Sequence, residues 1–144
     1  MTISEARPLL DVNVLLALAD PRHAYHEAAH CWLDTVEGFC TTPLTEAALL
    51  RLLANPKVGG ETMASARNVL RQIRLLESHS FLPDNSSLDE PAFDLLTLAG
   101  YRQVTDFHLV NLAIQAGATF ATFDGRLLRS LDPAAAQYIT VIAI

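Results

Sequence analysis

The 144-residue chain is poor in cysteine, lysine and long hydrophobic runs, and each shortage excludes a class of protein. Two cysteines, Cys31 and Cys40, are too few for a disulfide framework and lack the spacing of a metal knuckle. Lys57 is the only lysine, so lysine-dependent catalysis has a single candidate. No apolar run reaches the ~18 residues that span a bilayer, and the amino-terminal segment lacks a signal-peptide pattern. We therefore expect an intracellular, cytoplasmic protein without a membrane segment.

Positive charge is also scarce, because the formal net charge is −6 at pH 7. A protein that coats nucleic acid through bulk electrostatics is excluded, so any nucleic-acid contact has to be local. The hydrophobic content of 51% and the mean hydropathy of +0.25 predict a well-filled core. At this length we expect a single domain spanning residues 1–144.

Short apolar runs alternate with stretches of helical periodicity along the chain. The pattern predicts strands at 8–10, 38–42, 81–83, 118–123 and 138–144. It predicts helices at 12–19, 23–37, 43–55, 61–78, 88–98, 105–117 and 125–131. Strands that alternate with helices imply crossover connections. The predicted fold is therefore an α/β domain in which a parallel sheet lies between two helical layers.

The segment HEAAH, from His26 to His30, has the spacing of the zinc-metalloprotease motif H-E-x-x-H. At about 100° per residue, helix 23–37 carries Trp32 and Leu33 on its apolar stripe and both histidines on the opposite stripe. Leu33 also stands where the extended zinc motif requires glycine. We interpret the histidines as part of a solvated helix face and expect them to bind no metal.

Two acids lie on helix stripes that otherwise carry apolar residues. Glu46 shares its stripe with Leu49 and Leu53, and Asp106 shares its stripe with Val110. The opposite face of the helix that bears Asp106 carries polar residues: His108, Asn111 and Gln115. An unpaired carboxylate on a buried face is unfavourable. Each of the two acids must therefore be a helix cap, a member of an ion pair or part of a metal site.

Two further acids directly follow predicted strands: Asp11 after PLL and Asp124 after ATFATF. Functional groups gather at the carboxyl ends of parallel strands, so we expect four acids from four segments at one edge of the sheet. Such carboxylates repel one another, and ligation by oxygen alone suits Mg²⁺ or Mn²⁺. Asn13 and Thr122 each lie two residues from an acid and are expected to hydrogen-bond a carboxylate or hold a water.

Each acid taken singly has an ordinary structural explanation. Asp11 and Asp106 stand near helix starts, where a capping or first-turn acid stabilises by about 1 kcal/mol. Asp124 before Gly125 fits a turn, and Glu46 fits an ion pair with a buried arginine. Four such acids together are explained more simply by one metal site.

Four segments resemble, in order and spacing, the motifs of PIN-domain ribonucleases: LLDVNVLLAL, TEAALLRLL, VTDFHLVNLAIQAG and ATFDGRLL. The likeness is greatest to VapC toxins of bacterial toxin–antitoxin pairs, and it includes the HEAAH helix, which is structural in such toxins. The resemblance implies that Asp11, Glu46, Asp106 and Asp124 are the family's acidic quartet, with Asn13 the residue that commonly follows the first acid. It also implies a homodimer and inhibition by a cognate VapB-type antitoxin.

The resulting hypothesis is a Mg²⁺-dependent endoribonuclease, with Mn²⁺ as a possible substitute. Asp11 and Asp106 are expected to bind the metal directly, and Asp124 to complete or bridge the site. Glu46 is expected to act through a water molecule or to help deprotonate the nucleophile.

Two groups of arginines are candidates for holding RNA phosphates. Arg126 and Arg129 follow the last acid, whereas the other group forms a row on one helix: Arg67, Arg71 and Arg74. The row is equally well explained as a solvated cationic face or as a surface that receives an acidic antitoxin segment.

Two other functions are alternatives. A haloacid-dehalogenase-like phosphatase also uses a strand-end aspartate and Mg²⁺, but it requires a second aspartate where this chain has Asn13. It also requires a lysine near the phosphate, and Lys57 lies in a turn-like segment. The other alternative is a non-catalytic PIN-like domain that binds a partner. The loss of an acid would indicate that function, and this chain keeps all four.

Overall fold

The computed structural model describes residues 4–95 and 100–144, and these contain a five-stranded sheet in which all pairs are parallel. The strands are β1 (Ser4–Leu10), β2 (Phe39–Thr41), β3 (His79–Phe81), β4 (Ala118–Thr122) and β5 (Ile139–Val141). Their order across the sheet is β3-β2-β1-β4-β5. Because β1 is the central strand and β4 is its direct neighbour, the residues that follow them lie near the middle of the carboxyl edge.

Within the described residues the connections contain seven α-helices. They are α1 (Val12–Ala19), α2 (His26–Leu33), α3 (Pro43–Ala54), α4 (Met63–Arg74), α5 (Val104–Gln115), α6 (Gly125–Ser130) and α7 (Pro133–Ala136). Pro43 occupies the first turn of α3, where its missing N–H is not needed. Gly117, with φ of +72°, follows the end of α5 as the sequence predicted. None of these described helices is long and apolar enough to cross a membrane.

The two faces of the sheet bury separate hydrophobic cores. Leu9 and Phe120 point to the face covered by α5, where their neighbours include Val110. Leu10 and Ala121, the next residues of the same strands, point to the opposite face, which α1, α3 and α4 cover. The three-layer α/β/α arrangement predicted from the alternation of strands and helices is confirmed.

The helix predicted at 88–98 is wrong for residues 88–95, which form turns, bends and irregular backbone. Residues 96–98 lie outside the described part of the chain. The apolar spacing of this segment reflects packing rather than helical periodicity, because Phe93 is buried against Phe107 of α5. Pro91 also disfavours helical backbone in the residue before it.

Asn111 holds this irregular segment in place. Its Oδ1 accepts a hydrogen bond from the backbone N–H of Ala92 at 2.8 Å, and its Nδ2 donates to the carbonyl of Ser87 at 3.3 Å. Asn111 is fully buried, although the sequence places it on the polar face of α5. The sequence pattern missed this because a buried amide is tolerated wherever the backbone satisfies its hydrogen bonds.

The histidines of HEAAH do not form a freely solvated face either. His26 Nδ1 lies 2.7 Å from the carbonyl oxygen of Ala17, and His30 Nε2 lies 3.0 Å from that of Leu18. Because a carbonyl only accepts, each ring donates an N–H to the carboxyl-terminal end of α1. The last carbonyls of a helix have no partner within it, so the two rings satisfy groups that would otherwise need water. HEAAH thus fastens α2 to α1.

Candidate active site

Asp11 directly follows β1 and stands before the first turn of α1. Its side chain is buried, and Thr122 Oγ1 donates a hydrogen bond to Asp11 Oδ2 at 2.7 Å. Burial raises the pKa of Asp11, whereas the Thr122 hydroxyl and the nearby backbone N–H groups of Val12 and Asn13 lower it. The net pKa is raised, so the ionised carboxylate at this position is unfavourable without a cationic partner.

Thr122 connects the first acid to the last one. It is fully buried at the end of β4, and its Oγ1 accepts a hydrogen bond from the Asp124 N–H at 3.0 Å while it donates to Asp11. Asp124 is the residue before α6, and its carboxylate accepts from the Arg126 N–H at 2.9 Å. The Arg126 guanidinium also pairs with both carboxylate oxygens, at 3.1 and 3.2 Å, and this lowers the pKa of Asp124.

Asp106 lies in the first turn of α5, three residues after the cap position held by Gln103. Burial raises its pKa to about 6, and the charges of Asp11 and Asp124 act in the same direction. The three aspartates therefore share one electrostatic environment, although they come from three distant segments of the chain. Asp106 is not the N-cap of its helix, which was one of the ordinary explanations for its position.

A cavity of about 380 Å³ separates α3 from α5 beside these carboxylates. Asp11 and Asp106 both line it, and α3 contributes Ala47, Ala48 and Arg51. A cavity with two carboxylates of raised pKa is suited to a cation, because bound positive charge offsets both burial and repulsion.

The number of carboxylates at this cavity is compatible with Mg²⁺, which does not need a complete set of protein ligands. Within the described part of the chain, no three His, Cys, Asp or Glu side chains form a ready-made metal cluster. Mg²⁺ in proteins is commonly held by one or two carboxylates, while waters and substrate phosphates fill the other positions. Asp11 and Asp106 supply that number of carboxylates.

Glu46 lies outside this group of aspartates. Arg74 Nη1 donates to Glu46 Oε2 at 2.6 Å, and Thr41 Oγ1 donates to the same oxygen at 2.7 Å. The Arg74 guanidinium also stacks 4.5 Å from the centroid of the Phe81 ring. Glu46 occupies a different face of α3 from the residues that line the cavity. The structure thus shows an ion pair for Glu46, although Arg74 is partly exposed and not the buried arginine that the sequence suggested. A role of Glu46 at a metal stays a prediction.

The remaining sequence candidates lie at the margin of the site. The Asn13 side chain is exposed, and only its backbone N–H acts on the Asp11 carboxylate. Arg129 is exposed on α6, and its charge contributes to lowering the pKa of Asp124.

Three polar residues that line the cavity are not among the candidates predicted from the sequence: Thr45, Arg51 and Thr105. For Arg51 the sequence did carry a signal, because it stands on the polar side of the helix that bears Glu46.

A parallel sheet of this strand order, with aspartates following β1 and β4 and an acidic cavity beside them, defines an α/β protein with clustered carboxylates at the carboxyl edge of the sheet. A family model for the PIN domain matches residues 9–132 of the chain. The chain therefore belongs to the PIN domain family. This membership does not favour the haloacid-dehalogenase-like phosphatase.

Curated relatives cover most of the same residues. Ribonuclease VapC38 of Mycobacterium tuberculosis (strain ATCC 25618 / H37Rv) is 43% identical over 120 residues, which are 81% of this chain and 84% of the relative. Ribonuclease VapC39 of the same strain is 39% identical over 139 residues, which are 93% of this chain and 98% of the relative. Ribonuclease VapC29 of that strain is 38% identical over 120 residues, with 83% and 86% covered.

Proposed function

We propose that this chain is the ribonuclease toxin of a toxin–antitoxin pair and hydrolyses RNA phosphodiester bonds with the help of Mg²⁺ or Mn²⁺. The observation that carries the proposal is the pair of buried carboxylates, Asp11 and Asp106, that line one cavity at the carboxyl edge of the sheet. The relatives VapC38, VapC39 and VapC29 are all named ribonucleases, which supports RNA as the substrate. The metal dependence rests on the chemistry of the carboxylates.

Asp11 and Asp106 are proposed as the direct metal ligands, and Asp124 as the ligand that completes or bridges the site. A bound divalent cation supplies a water of lowered pKa and stabilises negative charge on the phosphate oxygens. Thr122 holds the Asp11 carboxylate in one orientation through its 2.7 Å hydrogen bond. It also fixes the backbone N–H of Asp124, so a single hydroxyl positions two of the proposed ligands relative to each other.

Glu46 and the arginines of α6 have to change partners to act in this reaction. Glu46 is proposed to act through a water molecule or to help deprotonate the nucleophile, which requires release from Arg74. Arg126 and Arg129 are proposed to hold RNA phosphates beyond the carboxylates. The Arg126 guanidinium is paired with Asp124. If a cation binds the Asp124 carboxylate instead, Arg126 is released and can bind a phosphate.

The proposed partners follow from the family likeness. We propose a cytoplasmic homodimer of a single PIN domain, inhibited by a cognate VapB-type antitoxin. Co-expression of the chain with a candidate antitoxin, followed by co-purification and an RNA cleavage assay, tests the inhibition. Sedimentation of the purified chain tests the dimer.

The experiment that tests the activity uses purified protein and total cellular RNA, incubated with Mg²⁺ or with a chelator, and sequencing of the new RNA ends. The expected result is a small set of new ends that require Mg²⁺ and are absent with Asp106→Asn. Intact RNA after incubation of the folded parent with Mg²⁺ would contradict the proposal and favour a non-catalytic, partner-binding domain. Cleavage that persists equally in the Asp106→Asn preparation would indicate a contaminating nuclease.

A further inference from the structure

Arg51 is the one guanidinium among the residues that line the acidic cavity. It is exposed, and within the described residues it forms no ion pair or hydrogen bond through its side chain. The arginines on either side of the site differ in this respect, because Arg74 is paired with Glu46 and Arg126 with Asp124. Arg51 is therefore a cation at the cavity that no described carboxylate neutralises.

The geometry of α3 directs Arg51 to the cavity rather than to the core. Arg51 follows Ala48 by three residues and Ala47 by four, and all three line the cavity, so they share one helix face. The alanine side chains are short, which leaves the space beside the helix open for a long side chain. Asp106 of α5 and Asp11, the residue before α1, line the same cavity. Carboxylates and a guanidinium thus border one space without pairing.

The two aspartates do not use the positive charge of Arg51. Within the described residues neither carboxylate forms an ion pair with the Arg51 guanidinium, and Asp11 Oδ2 accepts a hydrogen bond from Thr122 instead. Arg51 stays available for an anion from outside the protein.

We propose that Arg51 binds a backbone phosphate of the RNA in this cavity and is a substrate-binding residue of the site. This inference rests on the proposed function, since it takes RNA as the ligand. A polyanion that approaches two carboxylates in a chain of net charge −6 is repelled unless local positive charge offsets them. A guanidinium suits this task because its planar fork donates to two phosphate oxygens at once.

The experiment compares Arg51→Ala with Lys57→Ala on a fluorescent single-stranded RNA with Mg²⁺. Lys57 is an exposed cation in the turn after α3 and does not line the cavity. Lys57→Ala therefore removes one positive charge, as Arg51→Ala does, but away from the cavity. For Arg51→Ala we expect a KM raised on the order of 10-fold, with kcat changed by less than about 2-fold. The slope of log KM against log salt should fall by about 0.7, the value for one single-strand phosphate contact. Arg51→Lys should restore part of the affinity.

A binding measurement separates this inference from the proposed function. Asp106→Asn and the double variant Asp106→Asn with Arg51→Ala are titrated with the same RNA in chelator at several salt concentrations. The first variant keeps the cavity and removes one like charge, so RNA binding should persist without cleavage. The double variant should bind on the order of 10-fold more weakly, with the same reduction in salt slope.

The outcomes are distinct. If the parent cleaves RNA but Arg51→Ala and Lys57→Ala show the same KM and salt slope, the assignment of Arg51 is overturned and the proposed function stands. If the parent cleaves nothing, the proposed function fails, and weaker RNA binding by the double variant still supports a phosphate contact at Arg51. Equal RNA binding by the single and double variants, or no RNA binding by either, overturns the assignment.

Discussion

Replacing Asp106 by asparagine should stabilise the metal-free protein at neutral pH. Burial and two neighbouring carboxylates raise the pKa of Asp106 from 3.8 to about 6, so its ionised form is disfavoured in the folded state. A difference of about 2 pKa units corresponds to about 3 kcal/mol at about 1.4 kcal/mol per unit. Because Asp106 is only partly buried, solvent screening reduces this to about 1–2 kcal/mol. Asparagine keeps the shape and removes the charge.

The stability difference between Asp106→Asn and the parent should depend on pH. The folded-state pKa lies above the unfolded value, so between about pH 4 and pH 6 the folded state binds the proton more readily. The contribution of Asp106 to stability is present in full below about pH 4 and is lost as the pH rises through about 6. The asparagine variant does not ionise, so its advantage over the parent should be absent near pH 4 and complete at pH 7.

Thermal melts in chelator at pH 4 to 8 measure this advantage. At pH 7 the variant should melt higher, by about 2–4 °C for each kcal/mol in a chain of this size. Mg²⁺ should then raise the melting temperature of the parent more than that of the variant. Asp89→Asn removes an exposed carboxylate from a turn outside the cavity and serves as the matched control. Equal melting of parent and Asp106→Asn at every pH, with equal responses to Mg²⁺, would show that the Asp106 charge neither destabilises the fold nor binds the cation.

Three further variants follow from the contacts. Thr122→Val removes the 2.7 Å hydrogen bond to Asp11 and should raise the Mg²⁺ concentration needed for half-maximal cleavage several-fold; an unchanged requirement would contradict this positioning role. Replacing His26 and His30 together by alanine should lower stability by about 1–2 kcal/mol in denaturant melts, because two helix-end carbonyls lose their donors, while cleavage stays unchanged. A metal-dependent loss of cleavage there would revive the zinc alternative. Glu46→Gln should reduce kcat less than Asp106→Asn does, because Glu46 is held by an ion pair outside the cavity; equal losses would place Glu46 at the metal.

The sequence pattern predicted the fold well where local signals and tertiary packing agree. The alternation of strands and helices survives because every strand needs both faces covered, which only a three-layer arrangement provides. Pro43 and Gly117 marked a helix start and a helix end through their backbone restrictions alone. The positions of Asp11 and Asp124 after strands could be predicted because an apolar run followed by an acid is recognisable in the sequence alone.

The sequence pattern failed where a distant partner decides the outcome. Segment 88–95 has apolar spacing compatible with a helix. Its backbone around Ala92 is instead hydrogen-bonded by the side chain of Asn111, nearly twenty residues away. The ion pair between Glu46 and Arg74 joins α3 to α4, and no local pattern selects that arginine. The position of Arg51 at the cavity depends on how α3 packs beside α5, which helical periodicity on its own does not determine.

We propose that Asp11 and Asp106 together hold a divalent cation at the carboxyl edge of the sheet. A titration of the RNA-free protein with Mn²⁺ tests this proposal. The electron paramagnetic resonance signal of free Mn²⁺ reports how much of the ion is bound. We expect the parent to bind Mn²⁺ in competition with Mg²⁺, and Asp11→Asn and Asp106→Asn each to weaken Mn²⁺ binding at least about 10-fold. Asp89→Asn should bind as the parent does. Equal Mn²⁺ binding by all four proteins would show that these two carboxylates do not hold the cation.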